Sequence, residues 1–506
     1  MIKRDSYTTS LWQDNVNPYE EINKAGNETV FDVVIIGAGI TGVSTALTLQ
    51  EAGKKCLLLE AHNIGYGTSG GTTAHLNTLL DIPYYTIQKN FGKEAAGQVY
   101  TSTKEAIEFI KHNVDRFNID CGFEFADAYL FAQNEDQQKE LDEIISTSNE
   151  SGLAMQETDE IPVPISFVKA AKAGMQAKFN PLPYIQALAR AFEEAGGIIL
   201  QNCKVTEIDN AVHVKVITDC GIFSATDVIY ATHIPPGINL LHLRCVPYRT
   251  YAMAVTLADD AYPEGLIYDM YDPYHYYRTQ EVNGRKYFIA GGEDHQTGHL
   301  ENTNQCFLKL ESYLRQHFDV KEVNYSWSSQ YYESADGLPY IGNLPGQSDH
   351  VYVASGYGGN GMTYSSVAAL LLKRIILGEK PSNESLFNPN RIKPIAGFSN
   401  FISHNADVAK LFLEKLLPAD KLPELAGIAP GEGKIVKYED QTVALFKGDE
   451  GDIHAVNPVC THMKCNVSWN NAERSWDCPC HGARYDVNGV VLNTPADKNL
   501  ENIKIS

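Results

Sequence analysis

Residues 31–60 read FDVVIIGAGITGVSTALTLQEAGKKCLLLE. Phe31–Ile36 is an apolar run of strand character, and Gly37-Ala38-Gly39-Ile40-Thr41-Gly42 opens a helical pattern that continues through Glu51. A second apolar run, Cys56–Leu59, ends in Glu60 and Ala61. This is G-x-G-x-x-G at a strand-to-helix turn, with an acid about twenty residues on. Gly37 makes the tight turn, Gly39 lets the backbone approach a pyrophosphate, and Gly42 allows the helix to pack closely on the strand. The helix start at Ile40 and Thr41 attracts phosphate, and Glu60 is placed to accept from adenosine ribose hydroxyls.

The spacing of glycines alone is a weak signal. Gly65–Gly70 and Gly356–Gly361 match it formally, but the first follows no strand. The second follows Val351–Ala354 and precedes a helical pattern, Met362–Leu377, with no further strand ending in an acid. Only residues 31–60 make a complete nucleotide-binding unit, so one dinucleotide site is expected.

The chain has 506 residues, enough for two to four domains with a large core. A net charge of −22 excludes a nucleic-acid partner, because nothing supplies a basic face for phosphate. No apolar run approaches the roughly 20 residues of a membrane span; Val367–Leu377 is short and interrupted by Lys373 and Arg374. Met1–Glu20 is polar and acidic, without a signal-peptide core. Six of the ten cysteines (Cys56, Cys121, Cys203, Cys220, Cys245 and Cys306) are scattered singly and read as separate thiols of a cytoplasmic protein.

The other four cluster near the C-terminus. Cys460-Thr461-His462 and Cys478-Pro479-Cys480-His481 form two half-sites, each with one thiol and one imidazole in ligand position. Two thiolates on one iron and two histidines on the other are the ligands of a Rieske [2Fe–2S] centre. Zinc accepts the same ligand types in a tetrahedral site, although its sites usually pair like with like. The segments Cys460–Cys465 and Cys478–Tyr485 resemble the two cluster-binding loops of Rieske proteins. That resemblance implies Cys460, His462, Cys478 and His481 as ligands, with a disulfide between Cys465 and Cys480. In respiratory Rieske proteins a Ser follows the His-Gly and a Tyr lies two beyond. Here those positions hold Ala483 and Tyr485, so one hydrogen-bond donor to sulfur is missing and a lower reduction potential is expected.

The segments after Glu60 resemble the glycine oxidase/D-amino-acid oxidase superfamily of FAD enzymes. The matching pieces are Gly65–Asn77, Asp227–His233 (DVIYATH), Asp336–Gly342 (DGLPYIG) and Ser355–Thr363. The resemblance implies FAD bound by Thr68, Ser69, Thr72, Thr73, Ala74 and His75 of the first piece. It adds Val205, then Ala231 and Thr232, then Gly337. Gly358, Gly359, Asn360, Gly361, Met362 and Thr363 would lie near the pyrimidine edge of the isoalloxazine. The whole order, including Gly291–His295 and Ser468–Asp486, is similar to bacterial FAD-dependent oxidoreductases with a C-terminal Rieske domain. The expected architecture is therefore α/β, a Rossmann-like FAD-binding fold with an inserted mixed β-sheet substrate domain, plus a small all-β Rieske domain. The expected boundaries are an N-terminal segment over 1–30, the FAD domain over 31–380, a connector over 381–430 and the Rieske domain over 431–506. Val246–Val255 and Arg285–Gly291 belong to the substrate sheet, and Ala406–Leu417 is a helical stretch in the connector.

A flavin takes two electrons from a C–H bond and can return them singly, whereas an iron–sulfur cluster carries one at a time. Their union on one chain points to a dehydrogenase acting on a small amine or amino acid, with an external one-electron acceptor. The rivals are an NAD(P)H- or ferredoxin-linked flavoprotein, which would want a second nucleotide unit, and a cluster-based redox sensor. Arg249 and Arg278 could pair with a substrate carboxylate, with Tyr277 as a wall or hydroxyl. The aromatic run Tyr268–Tyr277 could instead cage an ammonium, or be an ordinary sheet face. Gly71–His75 is similar to the context in which some amine dehydrogenases carry a covalent flavin–histidine bond; a hydrogen-bonding His75 is the alternative. His295 and His299 have no assigned role.

Overall fold

The computed structural model describes residues 4, 6–23, 29–210, 213–391, 428–438 and 441–505. The helical stretch expected at Ala406–Leu417 lies outside the described residues. Val30–Ile36 is the strand the sequence implies, and it runs parallel to both Cys56–Leu59 and Gly221–Tyr230. From one edge the main path of this sheet is Tyr340–Asn343, Val351–Ser355, Gly221–Tyr230, Val30–Ile36, Cys56–Leu59, Ile198–Leu200. Its central strands are buried on both faces, which is why they read as unbroken apolar runs instead of alternating ones. The pairs Ile36↔Leu59 and Ile36↔Tyr230 put the strand ends level, so Gly37, Glu60 and Ala231 meet at one rim. The helix Ile40–Glu51 is buried over most of its length, and Gly42, Ser44, Thr45 and Ala46 keep it slim enough to lie among its neighbours.

A second, nine-stranded sheet is mixed but largely antiparallel. Val320–Ser334, Cys245–Leu257, Arg285–Gln296 and Tyr276–Val282 lie side by side, and Leu266–Asp269 joins them to Glu124–Ala132 and Lys169–Lys178. Both faces of this sheet are also covered, by two separate apolar clusters. The C-terminal part is all-β, with one three-stranded and one four-stranded antiparallel sheet. No helix among the described residues is long and apolar enough to cross a membrane.

One expectation is corrected here. Cys203 and Cys220 are not separate thiols but a pair, with Cα atoms 5.7 Å apart. The N-terminal segment packs as part of the fold: Leu11 and Trp12 are fully buried, and Trp12 Nε1 donates to Thr72 O.

Candidate functional site

A cavity of about 520 Å3 starts at the nucleotide turn and runs to the second sheet. Gly37, Gly39, Ile40 and Thr41 line its first part, with Glu60 and Ala61 beside them. Gly37 sits at φ +101°, and a Cβ there would lie 2.6 Å from Ala231 O. Gly42 lies outside the lining, and a Cβ on it would collide with the Gly37 carbonyl oxygen. Its absent side chain therefore sets helix–strand packing. The Glu60 carboxylate accepts from Ala38 N and His62 N, both at 2.8 Å, and burial pushes its pKa up against those donors.

Thr68, Ser69, Thr72, Thr73, His75, Val205, Ala231 and Thr232 line the same cavity, as do Gly358, Gly359, Asn360, Gly361 and Met362. Three expected residues do not. Ala74 O accepts from Arg278, Thr363 Oγ1 accepts from Asn77 N, and Gly337 lines a small separate pocket. His75 Nδ1 is 2.9 Å from Tyr268 Oη, and its ring stands edge-on to Tyr268 and Tyr276. Burial and the nearby Arg278 charge hold its pKa well below the ordinary histidine value.

The three residues expected at the substrate are placed elsewhere. Arg249 is fully buried, donates to Ser328 Oγ at 2.9 Å and pairs with Glu473 of the C-terminal domain. Arg278 is turned to the carbonyls of Ala74 and Phe179 and to Gln280. Tyr277 packs with Phe288, Tyr313 and Phe318 on the face of the sheet away from the cavity. His295 turns to Tyr251, 3.1 Å away. The end of the cavity at the second sheet, the candidate substrate end, is lined instead by Asp81, Tyr268, Tyr274, Tyr276, Asp294 and Tyr331. Asp81 and Tyr331 lie in no motif that singles them out, and Asp294 stands inside Gly291–His295 without any local sign of its role.

The C-terminal domain closes the other end. Residues between Val490 and Asn499 form a wall of the cavity beside the nucleotide rim. Lys204 Nζ donates to Asp497 O at 2.7 Å, and Thr494 Oγ1 donates to Thr232 O at 3.1 Å. Beyond that wall the two Cys/His loops come together. Cys460, Cys478 and His481 are buried, and the rings of His462 and His481 lie 5.0 Å apart. Cys465 and Cys480 are joined across the loops, with an S–S distance of 2.03 Å. His462 Nε2 is 3.1 Å from Gly237 O, while its Nδ1 is buried with no hydrogen-bond partner. A metal ligand at Nδ1 satisfies that atom, and two thiols beside two imidazoles suit an iron pair.

The family model for FAD-dependent oxidoreductases matches residues 32–375. The chain belongs to that family. The model of the Rieske [2Fe–2S] domain matches residues 420–504. This FAD-dependent oxidoreductase is 32% identical over 481 residues to the Rieske 2Fe-2S iron-sulfur protein YhfW of Bacillus subtilis, covering 94% of each chain. It is 25% identical to gamma-glutamylputrescine oxidoreductase of Escherichia coli over 76% of this chain and 92% of that protein. Glycine oxidase from Geobacillus kaustophilus shares the fold at a TM-score of 0.60 and 18% identity, covering 72% of this chain and 99% of that one. The front domain binds FAD and the rear domain a [2Fe–2S] cluster, which removes the zinc alternative.

The cluster loops carry one graded expectation. Tyr485 Oη lies 3.2 Å from Cys460 Sγ and accepts from Thr461 N at 3.1 Å, while Ala483 is buried and offers no donor. A hydroxyl that donates to a ligand sulfur stabilises the reduced, more negative state. Tyr485→Phe is expected to lower the reduction potential by on the order of 60 mV, one tenfold step for a single electron. A potentiometric titration followed by EPR checks this, and an unchanged potential would contradict it.

Proposed function

We propose that this oxidoreductase is a dehydrogenase of a small amine or amino acid whose electrons leave one at a time to an external acceptor. Bound FAD supplies a hydride acceptor that can give electrons up singly, and the bound [2Fe–2S] cluster supplies a one-electron carrier. In this reading the lining residues from Gly37 to Glu60 and from Gly358 to Met362 hold FAD, and Cys460, Cys478, His462 and His481 hold the cluster.

One observation carries the reading: a single strand, Val320–Ser334, serves both sites. Tyr331 faces the substrate end of the cavity. Its neighbour Tyr332 donates through Oη to His481 O at 3.1 Å, and Gln330 Nε2 donates to Gly482 O at 2.9 Å. The Gln330 carbonyl in turn accepts from Thr68 Oγ1 in the cavity wall, at 3.0 Å. These contacts fix the loop that carries a cluster ligand against the wall of the flavin cavity. The arrangement supports transfer between the sites without domain motion. Tyr268, Tyr274, Tyr276 and Tyr331 line the end of the cavity at the second sheet, where they would keep water from a reacting C–H bond. The chain's cytoplasmic placement is part of the proposal.

The test is anaerobic mixing of the holoenzyme with a panel of amines and amino acids. Bleaching of the flavin followed by the EPR signal of the reduced cluster is the expected result. Bleaching by NADH alone, with every amine and amino acid silent, would overturn the proposal.

A further inference from the structure

The substrate end of the cavity has an electrostatic character of its own. Asp81 and Asp294 both line it, and tyrosines 268, 274, 276 and 331 stand around them. Tyr331 Oη donates to Asp294 Oδ2 at 2.8 Å and the Thr250 hydroxyl stands near the same carboxyl, whereas Asp294 Oδ1 is buried without a close hydrogen bond. Asp81 is held by Gly359 N–H, the Tyr274 hydroxyl and the Asn360 amide at the start of helix Gly361–Ile376. Burial pushes Asp81 up to about 6 and Asp294 up to about 7, so a cation placed beside them would favour their charged form. A third carboxyl, Glu333, lines the small pocket next door together with Asp81.

The cations of the cavity are engaged elsewhere. Arg4 donates to Ser328 O and Ser329 Oγ, Lys204 to Asp497 O, and Arg484 pairs with Glu473 and Asp477. His75 is held neutral by burial. A substrate carboxylate would therefore meet two carboxyls, while the guanidinium groups nearest it, Arg4 and Arg278, spend hydrogen bonds on protein carbonyls and hydroxyls. An alkylammonium would meet opposite charge and the electron-rich faces of tyrosine rings.

We infer that the substrate is a cationic alkyl amine carrying no carboxylate beside the nitrogen, bound between Asp294, Asp81 and the surrounding tyrosines. This rests on the dehydrogenase reading for its reaction, but the binding chemistry can be tested separately. Propyltrimethylammonium has no N–H to lose and cannot be oxidised to an imine, so it reports binding alone. Titrated into the oxidised holoenzyme, it is expected to perturb the flavin absorption band saturably, while propionate is not. Asp294→Asn, nearly isosteric, is expected to weaken that binding by about tenfold or more, and Asp81→Asn to weaken it as well. The wild-type comparison stands even if either variant loses its flavin.

Saturable perturbation by propionate but not by the ammonium would overturn the inference. So would an Asp294→Asn holoenzyme that binds the ammonium as wild type does. The two readings fail differently in the substrate panel. Bleaching by amino acids with alkyl amines silent overturns the cationic site and leaves the dehydrogenase. Ammonium binding as expected, with no amine or amino acid bleaching the flavin, upholds the site and overturns the dehydrogenase.

Discussion

Glu473→Ala is expected to destabilise the protein by about 3–5 kcal/mol, the cost of stranding buried charge. Glu473 is fully buried between Arg249 of the second sheet and Arg484 of the Rieske domain. Asp477 also pairs with Arg484, at 3.1 Å, and Ser328 receives the Arg249 Nε proton at 2.9 Å. With Glu473 gone, Asp477 still balances Arg484, but Arg249 keeps its charge with only neutral partners in a dry interface. Because the triad bridges the domains, the lost energy is lost from docking as well as from folding. Glu473→Gln keeps the shape but not the charge, and is expected to fall between wild type and alanine. Thermal unfolding followed by both flavin fluorescence and cluster absorbance is the check, since two domains need not unfold together. Midpoints unchanged in both signals would contradict the expectation.

Gly37→Val is expected to lower FAD affinity by about tenfold to a hundredfold, with the cluster retained. Valine is the least suitable occupant of φ +101°, and its Cβ would sit 2.6 Å from the Ala231 carbonyl oxygen. The strain would move the turn proposed to present its N–H groups to the pyrophosphate. The loss is therefore expected in binding, and not in the colour or redox behaviour of the iron–sulfur loops. Equilibrium dialysis of FAD against the apoprotein, with EPR of the cluster alongside, measures both. Wild-type FAD affinity would show that this rim is not where the dinucleotide lies.

How much of this was legible beforehand divides along physical lines. The Gly37–Glu60 unit announces itself because every constraint on it is local: turn, close approach, helix start and acid follow within thirty residues. The two Cys/His loops are equally local. The substrate end is not. Tyr276 and Tyr277 are neighbours on one strand, and the period of two sends Tyr276 into the cavity and Tyr277 into the core on the other side. When a sheet is covered on both faces, apolar patterning cannot tell these two interiors apart. The chemistry of Arg249 and Arg278 suits a carboxylate, but the groups that engage them include Glu473, Ala74 and Phe179, far away in sequence. Asp81 and Asp294 are brought together only by the tertiary fold. The N-terminal segment has too little periodicity to advertise Leu11 and Trp12 as core residues.

The wall formed by Val490–Asn499 has a temporal meaning. Once Lys204 and Thr232 are tied to Asp497 and Thr494, the rim of the cavity at the Gly37 turn is roofed by a domain that follows the front domain along the chain. A cofactor entering past that rim would meet less obstruction before the rear domain docks than after it. A chain that assembled its rear domain early would have to lift that roof before it could be filled.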